Sequence, residues 1–196
     1  TEKVEDMALS ATFVYMYKKL ETKKGINRFA WDLRQKGPWD KNKSRRYKNG
    51  PMVPPGKYTA RLTVGETSIE HPFEVLIDPR LEQDGVSLED ILEQQDLQFK
   101  VIDLLSEARM FQDEVEQKIK ELEKSKVGDA KLDHFKEILK QLKNEEGAYP
   151  QQMMVPQISY LYYILSSGDK QPGQEEKDRY QELLEQFNAL KQKADL

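Results

Sequence analysis

Two hydrophobic periods divide this chain. From Tyr58 the apolar positions fall at every second residue: Tyr58, Ala60, Leu62 and Val64 alternate with Thr59, Arg61 and Thr63. Period two marks a strand with one buried face. Gly65-Glu66 follows, a pair suited to a two-residue type II′ turn because glycine accepts positive φ at its first position. Ile69, Phe73, Val75 and Ile77 then share a face, set against Ser68, Glu70, Pro72 and Glu74. Pro72 falls among the outward positions and cannot donate to a ladder, so this second strand belongs at a sheet edge. His71 lies in its inward register. Upstream, Phe29, Trp31 and Leu33 share one face of a further strand that follows Gly25. Pro54-Pro55-Gly56 makes the corner into the Tyr58 strand, proline fixing φ and glycine accepting conformations that other residues cannot. The stretch 10–21 fits a strand or a helix equally.

After Pro79 the period lengthens. Ser87 followed by Asp90 reads as a helix start of the capping-box kind. Leu97, Val101, Leu104, Ala108, Phe111, Val115, Ile119 and Leu122 then recur at steps of three and four, a seam like that of a coiled coil. Gly128-Asp129 interrupts it. A second helix carries Leu132, Phe135, Leu139 and Leu142 inward and ends near Gly147. A third, bracketed at its start by Pro150 and Pro156, carries Ile158, Leu161, Ile164 and Leu165. Residues 166–174 read as a turn or linker. A fourth helix runs from about 174 to 194 with Tyr180, Leu184, Phe187, Leu190 and Ala194 inward. Each helix has a polar face and would be marginal alone in water, so they must pack on one another.

The pattern predicts an α+β protein in two segregated parts. A small antiparallel β-sandwich of immunoglobulin-like kind occupies 1–80, and an antiparallel bundle of three to four helices occupies 81–196. Whether residues 1–20 complete the sandwich, contribute only part of a strand or stay disordered is open. Four or five strands are visible, fewer than the seven of a full immunoglobulin-type sandwich. Charge changes sign at the same boundary: residues 1–80 carry 16 Lys and Arg against 10 Asp and Glu, residues 81–196 carry 15 against 25. With 37% hydrophobic and 34% charged residues, the chain suits small cores beneath a charged surface. The absence of cysteine excludes disulfides, thiolate nucleophiles and cysteine zinc sites. No apolar run approaches the length of a membrane span. The chain begins at Thr1 with no secretory signal, which reads as a processed form or a fragment of a longer protein.

The segments "GINRFAWDLRQKGP" (25–38), "GPMVPPGKYTARLTVG" (50–65) and "FEVLIDPR" (73–80) resemble the C-terminal region of bacterial proteins with sortilin-like β-propellers built from BNR-type repeats, often labelled glycosyl hydrolases. The matching positions are Gly25, Asn27, Trp31, Asp32, Leu33, Arg34, Pro55, Gly56, Tyr58 and Arg61. The sandwich also resembles the immunoglobulin-like module of flagellar hook-capping proteins. The resemblance extends through the helical tail and covers most of residues 20–190. It implies a scaffold role for the Pro55-Gly56 corner and Tyr58, an N-terminal propeller as partner, and a periplasmic or secreted location. The propeller itself, and any chemistry it carries, lies outside this sequence.

The candidate sites divide between packing and binding. Trp31 beside Asp32 could stack on a sugar, but its shared face with Phe29 and Leu33 favours burial, with Asp32 fixing the following turn through backbone amides. The segment "WDKNKSRRYK" (39–48) sets Trp39 and Tyr47 among Lys41, Lys43, Arg45, Arg46 and Lys48. Such a loop can bind anionic glycans, nucleic acid or an acidic partner. The simpler expectation is that it packs against the acidic helices of its own chain. Tyr160, Tyr162 and Tyr163, with Met153 and Met154, give more aromatic surface than one seam needs; they fill the core or form a docking face for the propeller or another chain. His71 and His134 lack the companions of a metal site. No nucleotide-binding, serine-hydrolase or zinc-protease motif appears. The expectation is a non-catalytic structural and interaction module without cofactor, metal, nucleic acid or membrane insertion. The alternative is a carbohydrate-binding accessory module using Trp39 and Tyr47.

Overall fold

A computed structural model of the chain describes residues 23–125, 129–147 and 150–194. The fold is α+β. Two strands, β1 (Gly56–Val64) and β2 (Thr67–Val75), form an antiparallel two-stranded sheet. They are followed by α1 (Pro79–Gln83), α2 (Leu88–Ser125), α3 (Asp129–Leu142), α4 (Met154–Leu165) and α5 (Gln174–Ala194).

The hairpin has the expected register, with Val64 opposite Thr67 and Tyr58 opposite Phe73. Gly65 takes φ 61° while Glu66 stays outside the positive region, as a type II′ turn requires. The expected sandwich is not among the described residues. Phe29, Trp31 and Leu33 form no strand: Phe29 is exposed, and the segment makes only one isolated bridge, from Arg34 to Met52. The stretch 10–21 lies outside the described residues. Nor is the alternating face of the hairpin buried. Ala60, Leu62, Val64 and Ile69 are exposed, as is His71, and only Tyr58, Phe73 and Val75 near the base are partly covered. Alternation sets which side chains share a face, and here the described residues cover that face only near its base, where Trp31 meets Phe73.

The helical part follows its seams closely. All eight seam residues of α2 from Leu97 to Leu122 are buried. Ser87 caps the helix reciprocally: its Oγ accepts from the Asp90 amide at 3.1 Å while the Asp90 carboxylate accepts from the Ser87 amide at 2.9 Å. Pro156 sits in the first turn of α4, where its missing N–H costs nothing. In α5 the most buried side chains are Leu183 and Phe187, whereas Tyr180 and Leu184 are only partly covered. Phe187 meets Phe111 edge to face at 5.8 Å.

Ion pairs and hydrogen bonds between the helices show their relative directions. Lys177 pairs with Glu93 at 2.6 Å and Lys191 with Glu107, so α5 runs parallel to α2. Lys136 meets Glu123 at 3.3 Å, which places the middle of α3 beside the end of α2. The last residue of α4, Leu165, meets Gln94 and Gln98 near the start of α2. Thus α3 and α4 succeed one another along α2, both antiparallel to it. The four helices enclose one continuous core.

Candidate functional site

The basic loop belongs to an irregular hairpin that runs from Leu33 to Val53. Its two limbs are joined by backbone bonds from Val53 to Leu33 at 2.7 Å, Gln35 to Pro51 at 2.8 Å and Gly37 to Tyr47 at 2.9 Å. The limbs cross so closely at two glycines that a side chain cannot fit. A Cβ on Gly37 would lie 1.9 Å from the Lys48 carbonyl oxygen, and one on Gly50 would lie 2.2 Å from that of Gln35. Leu33, Tyr47 and Asn49 adopt φ near 60°, a costly conformation for residues with side chains, held here by the surrounding contacts. Trp31 Nε1 donates to the Arg34 carbonyl at 3.1 Å, and Asp32 accepts the Arg34 amide at 3.1 Å, so Asp32 fixes the turn into this hairpin.

This loop is clamped along α2. Ser106 Oγ accepts the Trp39 amide at 2.9 Å, and Arg109 donates to the Trp39 carbonyl at 3.0 Å. Lys41 forms ion pairs with Asp113 and, at 3.2 Å, with Glu116. The charge of Lys36 is felt by Asp103, whose carboxyl is pushed up by burial against that attraction. Near the open end of the hairpin, Gln95 donates to the Met52 carbonyl at 2.9 Å. Positions 103, 106, 109, 113 and 116 recur at steps of three and four. They make a second, polar stripe on α2 beside the apolar seam. The loop also contacts α4: the Tyr162 hydroxyl donates to the Asn49 carbonyl at 2.6 Å. Burial holds that phenol up to about 12.

Several of the loop's candidate binding residues also make contacts with one another. Arg46 lies over the Trp39 ring at 5.2 Å and donates to the Asp40 carbonyl at 2.9 Å. Lys36 lies over the Tyr47 ring at 4.0 Å, and Arg45 pairs with Asp40 at 3.1 Å. Burial alone would raise the Asp40 carboxyl; the Arg45 bond, the Asn42 amide and the charges of Arg45 and Arg109 more than offset it and hold it below its usual value. Trp39 and Tyr47 are partly buried, each with one face against a cation of this chain. Tyr162 is buried and serves as a strut to the loop, which corrects the expectation of a docking surface at that position. Tyr160 and Tyr163 are exposed, 65% and 68%, and stack on each other at 6.4 Å.

Among the described residues, several exposed large apolar side chains lie on the β1–β2 hairpin. At its base Tyr58 stacks on Phe73 at 5.7 Å, Trp31 meets the edge of Phe73 at 6.2 Å, and the Tyr58 hydroxyl donates to the Pro54 carbonyl at 2.6 Å. These contacts tie the base of the hairpin to the segments around Trp31 and Pro54. Beyond them Leu62 is 51% exposed, Ile69 67% and Val64 70%. A groove of about 410 Å³ opens between the hairpin base and the helices, lined by Met52, Val53, Val75, Leu76 and Ile91, with Gln94 and Gln98 among its polar groups. Leu76 at its rim is 75% exposed. The Asp78 carboxyl at this groove is held down at about 2 by the Arg80 guanidinium and the Arg80 amide. Among the described residues no three His, Asp or Glu side chains are grouped to hold a metal ion, and no helix is long and apolar enough to cross a membrane.

No family model matches this sequence, and the searches of curated proteins and of solved structures give no match. The displayed hairpin could not have been read from alternation alone, because period two reports a shared face and not what covers it. The charge pattern set the basic loop against the acidic helices of its own chain, but which positions of α2 would meet it was not legible: a polar stripe at helical spacing looks the same whether it meets solvent or a loop.

Proposed function

We propose that the chain is a non-catalytic docking module: a helical bundle holds a rigid loop and presents an apolar β-hairpin to a protein partner. The observation that carries this reading is the row of Leu62, Val64 and Ile69, more than half exposed on a hairpin whose contacts with the rest of the described residues lie at its base. A contiguous exposed apolar face in a folded chain marks an interaction surface. The hairpin then acts as part of an immunoglobulin-like sandwich whose cover is supplied on docking. In keeping with the family resemblance, the partner is the β-propeller of a larger exported bacterial protein. The docking reading is preferred to the carbohydrate-binding alternative because Trp39 and Tyr47 each have a cation of this chain against the ring.

The test is binding of the dye 1-anilinonaphthalene-8-sulfonate to the folded chain at neutral pH. Fluorescence should rise in the native protein and fall severalfold in Leu62→Asp/Ile69→Asp, with helical circular dichroism unchanged. No enhancement in the native chain, or enhancement indifferent to the substitutions, argues against a displayed apolar face. Turnover of a glycoside panel by the purified chain, abolished by one carboxylate substitution, would overturn the non-catalytic reading.

A further inference from the structure

The two edges of the hairpin are not equivalent. A two-residue turn makes Val64–Thr67 a hydrogen-bonded pair, and pairs alternate from there along the register. Thr63–Ser68, Arg61–Glu70, Thr59–Pro72 and Lys57–Glu74 are therefore the pairs whose backbone groups point away from the partner strand. On the outer edge of β2 this leaves a gap, because Pro72 has no N–H to offer. On the outer edge of β1, Lys57, Thr59, Arg61 and Thr63 present four donors and four acceptors in an unbroken row. No strand is paired to that edge among the described residues.

Charge discriminates further. The only charged side chains of β1 are Lys57 and Arg61, both exposed and on the polar face, with Arg61 bonded to Glu70 at 2.7 Å. The carboxylates of the hairpin's polar face, Glu70 and Glu74, lie on the opposite strand. A strand added beside β1 meets a basic column on one face and Ala60, Leu62 and Val64 on the other. We infer that the outer edge of β1 accepts an extended segment of a partner protein in which apolar and acidic residues alternate. Backbone bonds supply affinity in such strand addition, and the alternating side chains supply selectivity. This inference rests on the docking reading above and names the chemistry of the partner.

The experiment uses the full chain, labelled with ¹⁵N, and two capped heptapeptides: valine alternating with glutamate and valine alternating with lysine. Amide exchange is followed by nuclear magnetic resonance. With the glutamate peptide the amides of Lys57, Thr59, Arg61 and Thr63 should slow at least tenfold, while those of Ser68, Glu70 and Glu74 stay unchanged. The lysine peptide should have no effect, and Lys57→Glu/Arg61→Glu should reverse the preference. No slowing with either peptide, or equal slowing with both, overturns the inference. Slow exchange in the chain alone overturns it too. If independent of protein concentration, it assigns the edge to another segment of the same chain; if it grows with concentration, to a second copy. Perturbation of the Leu62, Val64 and Ile69 methyls without amide slowing rejects strand addition but leaves docking through the apolar face intact.

Discussion

Gln94 and Gln98 are buried, 2% and 8% exposed, on a face of α2 that meets the end of α4. Both donate to the same acceptor, the Leu165 carbonyl, at 2.9 and 2.6 Å. Leu165 closes α4, so its carbonyl has no intrahelical partner, and the residue is fully buried. Gln94 also donates to the Gly168 carbonyl at 2.7 Å and accepts the Lys170 amide at 3.3 Å. Replacing either glutamine with leucine keeps the volume and removes the donor. Gln98→Leu leaves Leu165 served by Gln94 and should cost about 1 kcal/mol, the net worth of one hydrogen bond. Gln94→Leu loses more partners and should cost about 1–2 kcal/mol. The double variant orphans a buried carbonyl, which adds its desolvation penalty of about 1–3 kcal/mol. The loss in the double variant should therefore exceed the two single losses together by roughly 1–2 kcal/mol. Urea unfolding of all four proteins by circular dichroism measures this, with constant m-values as the check that the denatured states are comparable. Additive losses, agreeing within about 0.3 kcal/mol, would refute the shared-acceptor argument.

Three further outcomes follow from the clamped loop. Gly50→Ala places a methyl 2.2 Å from a backbone oxygen and should destabilise by about 1–3 kcal/mol, read in the same unfolding assay; a neutral result would contradict the crossing of the limbs. Tyr162→Phe should cost about 1 kcal/mol through the lost bond to Asn49. Because the folded phenol titrates near 12, above its ordinary value of about 10, the Tyr162 contribution is intact below pH 10. It declines as pH rises from 10 to 12; a pH series of unfolding midpoints for Tyr162→Phe against the parent isolates it. Lys41→Ala should cost only a few tenths of a kcal/mol, less at 0.5 M salt, since Lys41 is largely exposed. Heparin–agarose should not retain the parent chain beyond the weak retention expected of a few exposed lysines.

What the sequence showed and what it hid have separate physical causes. The α2 seam, the Ser87 cap, the Gly65-Glu66 turn and the Asp32 turn are local: spacing and residue type decide them within one or two turns of chain. The loop clamp is nonlocal. It joins Trp39 to Ser106 and Arg109, Lys41 to Asp113 and Glu116, and Asn49 to Tyr162. Nothing in either partner segment announces the other, although the charge asymmetry between the two parts was consistent with it. Gly37 and Gly50 were visible as punctuation, but only the backbone crossing reveals why no larger residue fits there. Gln94 and Gln98 interrupt the apolar pattern, and nothing in their spacing marks them as buried. They are inside because a helix end needs donors. The exposed face of the hairpin is the reverse case, an apolar pattern whose outer part has no cover among the described residues.

The central claim is that the hairpin is displayed and contributes little to the folded core. The thermal midpoint of Leu62→Asp/Val64→Asp/Ile69→Asp measures this directly, with Phe187→Ala as the core reference. The account expects the hairpin variant to melt within about 2 °C of the parent and the core variant to lose about 3–5 kcal/mol. A hairpin variant that unfolds as readily as Phe187→Ala would show that those three side chains are buried in the native chain, and the docking account would fail.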